Sequence, residues 1–422
     1  MLFVGINYAP EPTGIAPYTE GMACALAARG WQVRVITTHP HYPWWKVQEG
    51  YGGWTRTETR NLVDTTRLRH YVPRRHTMLD RALSEITFGL RATFAHWHRP
   101  DVVVLVSPAM IASRLAAVRT ALTGVPTIVW VQDIYTLGAR ETGAASHGAA
   151  AVALLERGLV NSADRVVAIH DRFRRVLQED LSVATPVDVV RNWSHVRTDG
   201  AGRDGALRRE LGWADDDVVV LHAGNIGAKQ GLENVVQAAL EAARRGSHAK
   251  FVLLGDGNQR PALEAMAACP RLQFLDPLPD GVFERALASA DILLVNERPG
   301  LTEMAVPSKL TTYFATGLPV IAAVDPSSIT HDEVRAAGAG PCVPAGDPGA
   351  LVDAVERLAA DPAASRAFGH AAQSYRDVHL GVDTAVATFE ATIRAAMVPG
   401  RRASAGALAG ARSRRHRPVL RH

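Results

Sequence analysis

The sequence predicts an α/β protein built as two Rossmann-like domains, and three observations carry that expectation. Short apolar runs alternate with helix-period segments along the chain, the grammar of parallel strands joined by helical crossovers. The alternation restarts after Thr-Asp-Gly-Ala-Gly-Arg-Asp-Gly at 198–205, whose composition suits a flexible connection between domains. The 422 residues, 47% hydrophobic and 21% charged, are ample for two cores and exclude one small binding module.

Taken in order, the first half calls for strands at 2–6, 32–37, 102–106, 127–131 and 165–169, with helices at 18–29, 111–122 and 149–161. The second half repeats the pattern, with strands at 218–222, 251–254, 273–275, 292–295 and 319–323. Its helices are expected at 232–245, 261–268, 282–290 and 309–316. A last long helix is expected at 362–397. The domains then read 1–197 and 206–378, with 379–398 packing back on the first domain and 399–422 an Arg-rich disordered tail. Two such domains facing each other leave a cleft at the carboxyl ends of their strands, where open α/β sheets bind ligands.

The +4 net charge is unevenly placed: seven arginines fall in 401–422 with no acid or lysine, which leaves the body at −3. The tail is read as a solvated end or as a segment with affinity for anionic surfaces. A slightly acidic body without a basic stripe excludes nucleic acid as the expected partner. Cys24, Cys269 and Cys342 lie far apart, which fits neither a disulfide framework nor a zinc site and suits a reducing compartment. The chain starts on a strand-like run rather than a secretory signal, and no span approaches the ~20 apolar residues of a membrane helix, so a cytoplasmic protein is expected.

The most informative segment is His-Ala-Gly-Asn-Ile-Gly-Ala-Lys-Gln-Gly-Leu-Glu-Asn-Val at 222–235, where a strand runs into a glycine loop and then a helix. Gly224, Gly227 and Gly231 let the backbone bend with N–H groups pointing outward, and the helix N-terminus adds partial positive charge, which suits a phosphate. Lys229 would add a full charge, and the chain has only four lysines against 42 arginines. A second lysine, Lys309, follows Pro307 and Ser308 at the start of another helix, and two such turns suit a diphosphate. Gly255, Asp256 and Gly257 form a close-approach turn, but Arg260 replaces the third glycine of a dinucleotide fingerprint, so NAD is poorly supported.

Several segments together resemble the retaining glycosyltransferases of family 4, of GT-B fold, and among them the colanic-acid-type exopolysaccharide enzymes. They are Gly-Ile-Asn-Tyr-Ala-Pro-Glu-Pro-Thr-Gly at 5–14, His-Tyr-Pro-Trp at 41–44, Val-Gln-Asp-Ile at 131–134, Arg-Asn-Trp-Ser at 191–194, the loop at 224–233, and Pro-Ser-Lys-Leu-Thr at 307–311. The resemblance implies transfer of a hexose-type sugar from a UDP- or GDP-linked donor, with no cofactor and no metal, to a lipid-linked glycan at the inner face of the membrane. It makes Lys229 the lysine on the donor diphosphate, places Asn225 where many relatives have arginine, and makes the Ser308 and Lys309 amides the turn around the distal phosphate. Relatives carry two glutamates eight positions apart, one on the donor sugar and one on the ribose; here those positions are Met304 and Thr312. Glu303 is the substitute for the first, and the Thr312 hydroxyl for the second.

In the first domain, Gly14 matches a glycine that similar enzymes bring near donor phosphates and acceptor, with a plain turn as the other reading. Asp133, at a strand end, is an acceptor contact or base, or equally a helix cap. Tyr42, Trp44 and Trp45 either stack on sugar rings or form a packed loop core. Asp215, Asp216 and Asp217 spell a metal-binding Asp-x-Asp, but their position before a strand, away from the cleft end, favours a solvated turn and a metal-independent enzyme. From Leu79 through Leu83, Ile86 and Leu90 to Phe94 and Trp97, apolar residues recur at helical spacing among arginines. Such a helix could lie on an anionic inner-membrane surface or simply cover the sheet. The function expected is therefore a glycosyltransferase of cell-surface polysaccharide synthesis; the alternatives are a nucleotide-sugar epimerase of the same build and a non-catalytic nucleotide-sugar or glycan sensor.

Overall fold

A computed structural model describes residues 1–12, 14–74, 77–136, 146–193, 202–279, 281–301 and 308–398. The chain divides into two compact units, one of Met1–Val190 with the segment from Val386, the other of Arg191–Ala385. Glu303, residues 198–201 of the predicted connection and the Arg-rich tail lie outside the described residues.

The first unit holds an eight-stranded sheet. Its strands are β1 (Leu2–Val4), β2 (Val33–Thr38), β3 (Thr55–Arg60), β4 (Val63–Leu68), β5 (Val103–Ser107), β6 (Thr127–Val131), β7 (Arg165–Ala168) and β8 (Val187–Val189). The order is β3-β4-β2-β1-β5-β6-β7-β8, parallel throughout except for the antiparallel pair of β3 with β4. That hairpin has no counterpart in the sequence reading, because Thr-Arg-Thr-Glu-Thr-Arg is polar on both faces and carries no alternation. The central strands are buried on both sides, which is why they read as unbroken apolar runs.

The second unit holds β9 (Val218–Ala223), β10 (Ala249–Leu254), β11 (Leu272–Leu275), β12 (Ile292–Asn296), β13 (Val320–Val324) and β14 (Cys342–Pro344), all parallel, in the order β11-β10-β9-β12-β13-β14. Strand residues alternate between two cores. Val219, Leu221, Leu293 and Val295 enter one, with Leu310 and Phe314 of the Ser308–Ala315 helix; Val220, Ile292 and Leu294 enter the other, with Val235 and Val236 of the Glu233–Arg245 helix.

The expected last helix is two helices, Pro362–His379 and Val382–Ala396. They part at Leu380 and Gly381, where the cap is non-helical and glycine carries a weak helix propensity. The second of them returns to the first unit, where Phe389 stacks on Phe3 at 6.2 Å and meets Trp130 edge-on at 4.9 Å. Among the described residues, no helix is long and apolar enough to cross a membrane.

Candidate functional site: a glycine loop over a buried lysine

In the second unit, chain order reverses at the centre of the sheet: β9 leads to β10 on one side, while β12 lies on the other. The carboxyl ends of β9 and β12 thus form a topological switch point, the place where open α/β sheets take ligands. The glycine loop leaves β9 there. Gly224 N–H donates to Leu254 O at 2.8 Å and Ile226 N–H to Asp256 O at 2.9 Å, so the loop lies along the Gly255–Gly257 turn. A Cβ on Gly255, whose φ is +140°, would collide with the Gly224 carbonyl, and one on Gly257 with that of Ile226. These two glycines seat the loop. The expectation of outward, unused N–H groups needs correcting at Gly224 and at Gly227, whose N–H donates to Gln230 Oε1 at 3.2 Å. Seating against β10 takes up the first and the Gln230 side chain the second, which leaves the cationic side chains and the following helix start as the groups open to an anion.

Lys229 stands exposed on the single 3₁₀ turn Ala228–Gln230, and its carbonyl accepts from Arg298 N at 2.9 Å. Asn225 is exposed on the same loop. Asn296, at the end of β12, fixes the loop's far side: its Nδ2 donates to the Gln230 and Gly231 carbonyls, and its Oδ1 accepts from Asn234 Nδ2 at 2.8 Å.

Lys309 reaches the loop from below. Its Cε lies 3.1 Å from where a Gly224 Cβ would stand, a tight approach at a position whose φ of +123° itself favours glycine. Its Nζ sits 2.8 Å from His222 Nε2, and His222 Nδ1 lies 3.2 Å from Leu294 O. A carbonyl can only accept, so Nδ1 carries the proton and Nε2 accepts from the lysine. Burial, then the lysine's charge, hold the His222 imidazole well below its usual value. Burial also brings the Lys309 ammonium down from 10.5 to about 7, while Glu297 pulls the other way. One lysine is therefore exposed to solvent, while the other is buried, brought down to about 7, and favoured in its charged form by any anion that settles beside it. Tyr313 locks the underside, its hydroxyl accepting from Ala223 N at 2.8 Å.

Ser308 opens the Ser308–Ala315 helix, so the Ser308 and Lys309 amides belong to the first turn, which lacks intrahelical acceptors. Thr312 follows Lys309 by three positions on one face of that helix and is half-buried. The structure thus assembles Gly224, Asn225, Gly227, Lys229, Gly255, Gly257, Lys309 and Thr312 at one end of one sheet. His222, Asn296 and Tyr313 complete it and were not singled out from sequence; a lone polar residue closing an apolar strand was the available signal for the first two.

The first unit has its own switch point, between β1 and β5. The loop after β1 brings Glu11 under the segment after β2, where its Oε1 accepts from His41 N at 2.8 Å and Tyr42 N at 2.9 Å, and its Oε2 from Asn7 Nδ2 at 2.8 Å. This buried carboxylate holds the aromatic loop in place. Gly14, at φ +70°, lies against the Tyr42 ring, a Cβ there meeting Cε1 at 3.5 Å. Tyr42 and Trp45 pack edge to face at 5.7 Å, while Trp44 is 60% exposed. The loop therefore combines a packed pair with one outward aromatic. Asp133 is exposed at the end of β6, its Oδ1 accepting from Ile134 N at 3.0 Å.

The aspartate triplet precedes β9, but only part of it is solvated. Asp217 is buried, accepts from Ala214 N and Arg271 Nη1 at 2.9 Å each, and pairs with Lys250 at 3.3 Å. Its carboxylate braces the strand entry. Among the described residues, no group of three His, Cys, Asp or Glu side chains could hold a metal ion.

Comparison with known proteins agrees with this architecture. Residues 13–193 match the family described as glycosyl transferase 4-like domain, and residues 217–361 the family described as glycosyl transferases group 1. A protein of Escherichia coli that carries the name of a colanic acid biosynthesis glycosyl transferase, WcaI, is 32% identical over 333 residues, covering 75% of this chain and 81% of its own. Sucrose-phosphate synthase from Thermosynechococcus elongatus superposes with a TM-score of 0.70 at 17% identity, over 93% of this chain and 98% of that one. Anabaena HepE, solved in complex with UDP, superposes with a TM-score of 0.66 at 14% identity, over 93% and 99%. The chain is a glycosyltransferase of the group 1 family, with the two-domain GT-B fold.

Proposed function

We propose that the protein is a retaining, metal-independent glycosyltransferase that moves a hexose-type sugar from a UDP- or GDP-linked donor to a lipid-linked glycan in exopolysaccharide synthesis, at the inner face of the cytoplasmic membrane. The observation that carries this reading is Lys309, held by His222 beneath the glycine loop at the switch point of the second sheet. A group that is half-neutral when alone and fully charged beside a diphosphate stabilises a leaving group as negative charge develops on it. Lys229 adds the solvated charge, and the Ser308 and Lys309 amides would take the distal phosphate. The acceptor hydroxyl attacks from the face the leaving group departs, and its proton passes to the leaving phosphate, so that step asks for no carboxylate pair. Glu303 and Thr312 would meet the donor sugar and ribose; Gly14, Tyr42, Trp44 and Asp133 would meet the acceptor. The naming of WcaI for colanic acid synthesis supports the polysaccharide setting, and the UDP complex of HepE supports a nucleotide diphosphate donor.

A thermal-stability screen with UDP, GDP and their sugars tests the donor half. One diphosphate nucleotide raises the Tm by several degrees, as binding at ~100 times Kd contributes about 2.7 kcal/mol. No shift with any of them would remove the donor assignment. The anomeric configuration of the product, read by NMR, tests retention.

A further inference from the structure

The helix Met78–Phe94 packs by its narrow side. Its buried residues are Ser84, Phe88, Gly89 and Ala92, and Gly89 meets the Ala112 backbone of the Met110–Thr123 helix so closely that a Cβ there would stand 2.7 Å from Ala112 Cα. The wider apolar stripe points to solvent. Leu79 is 83% exposed and Phe94 84%, and between them Leu83, Ile86 and Leu90 keep 45%, 38% and 45% of their surface open, at spacings of four, three, four and four. This row runs for roughly 22 Å at ~1.5 Å per residue. The sequence left open whether the stripe covers the sheet; a smaller set of residues does that, and the stripe is left over.

Its surroundings are those of a water-bilayer boundary. Near the first turn the Arg81 guanidinium stands over Trp45 at 5.8 Å, and near the last turn Arg91 stands over Trp54 at 3.9 Å. Trp54 is itself 70% exposed. Exposed Arg74, Arg81 and Arg99 flank the row. The helix's two acids are engaged elsewhere, Asp80 accepting from Tyr71 and Thr77 hydroxyls and Glu85 from Ile111 N. At the C-terminal end, a cavity of about 510 Å³ is lined by Leu90 and Phe94 together with Arg91, Thr55, Thr57 and Thr66.

We infer that this face docks on an anionic phospholipid bilayer, the apolar row entering the acyl boundary and the arginines pairing with headgroup phosphates. Charge selects the bilayer over a second copy of the chain, since self-pairing of this face would confront arginine with arginine. The inference rests on the lipid-linked acceptor reading for its purpose. The vesicle assay needs no nucleotide, so its failure leaves the donor chemistry standing, and failed donor binding leaves the docking face standing.

The test compares the full chain with the variant Leu83→Ser/Ile86→Ser/Leu90→Ser in sedimentation with vesicles of about one-third phosphatidylglycerol in phosphatidylcholine. The variant is expected to stay folded by circular dichroism with a somewhat lower Tm, because these side chains are only 38–45% exposed, and to lose at least tenfold in vesicle partitioning. Wild type is expected to bind pure phosphatidylcholine at least tenfold more weakly. Unchanged binding by a folded triple variant would overturn the inference and assign any membrane affinity to the arginine tail. A concentration-dependent dimer in sedimentation velocity, abolished by the same substitutions and without vesicle binding, would overturn it in favour of self-association.

Discussion

Raising the pH is expected to weaken donor binding through Lys309. In the free protein its ammonium is brought down to about 7 by burial. Of the groups that face it, His222 is held neutral far below this range, Tyr313 titrates far above it, and Glu297 is the neighbouring carboxylate. A bound diphosphate, fully ionised above its second pKa near 6, favours the charged lysine and so takes up a proton. If the lysine regains its ordinary value of about 10.4 beside the ligand, the apparent Kd rises roughly 50-fold from pH 7 to pH 9, about 2.3 kcal/mol. The sign follows from the direction of the shift: binding wants the protonated form, which the free protein loses as pH rises through 7. Isothermal titration of the preferred nucleoside diphosphate at pH 8, in two buffers of different ionisation enthalpy, should give about 0.9 proton taken up per nucleotide. Lys309→Met should bind weakly, with no pH dependence over this range. A flat profile and no proton uptake in the wild type would refute the reasoning, because Lys309 would then be either fully charged before binding or remote from the phosphates.

Lys229→Ala should leave the Tm unchanged and lower turnover by ~10² to 10³, the usual cost of removing one preorganised charge from a leaving group; near-normal turnover at saturating donor would contradict this. Gly255→Ala should push the Gly224 carbonyl away and abolish nucleotide binding even where the unit remains folded, as checked by circular dichroism and titration. Chelation by EDTA should leave activity unchanged, since Asp217 is engaged by Arg271 and Lys250. Loss of activity restored by manganese would reverse that reading.

The central strands of both sheets were legible because burial on two faces writes itself as unbroken apolar runs, as in β5, β6 and β12, whereas the outer strands β3, β4, β8 and β14 were not read. The glycine loop was legible for the same local reason: strand end, glycines, lysine and helix start are contiguous. What sequence did not disclose were meetings across distance. His222 and Lys309 are 87 positions apart, and Glu11 reaches a loop 30 positions on, so neither pairing leaves a periodic trace. Gly255 and Gly257 were read as a turn permitting close approach, but sequence did not show that it is the backbone of the neighbouring loop that occupies the space their side chains would need. The orientation of the Met78–Phe94 helix was likewise unreadable, because an apolar stripe has the same spacing whether it faces a core or a bilayer.

The most direct test of the central claim is release of free nucleoside diphosphate from the preferred nucleotide sugar, followed with and without a lipid-linked glycan acceptor. A transferase releases nucleotide only when acceptor is added, in step with a product one sugar longer. Rapid release without acceptor would point to epimerase-type chemistry, and binding without release under either condition would point to a sensor; either result would contradict the account.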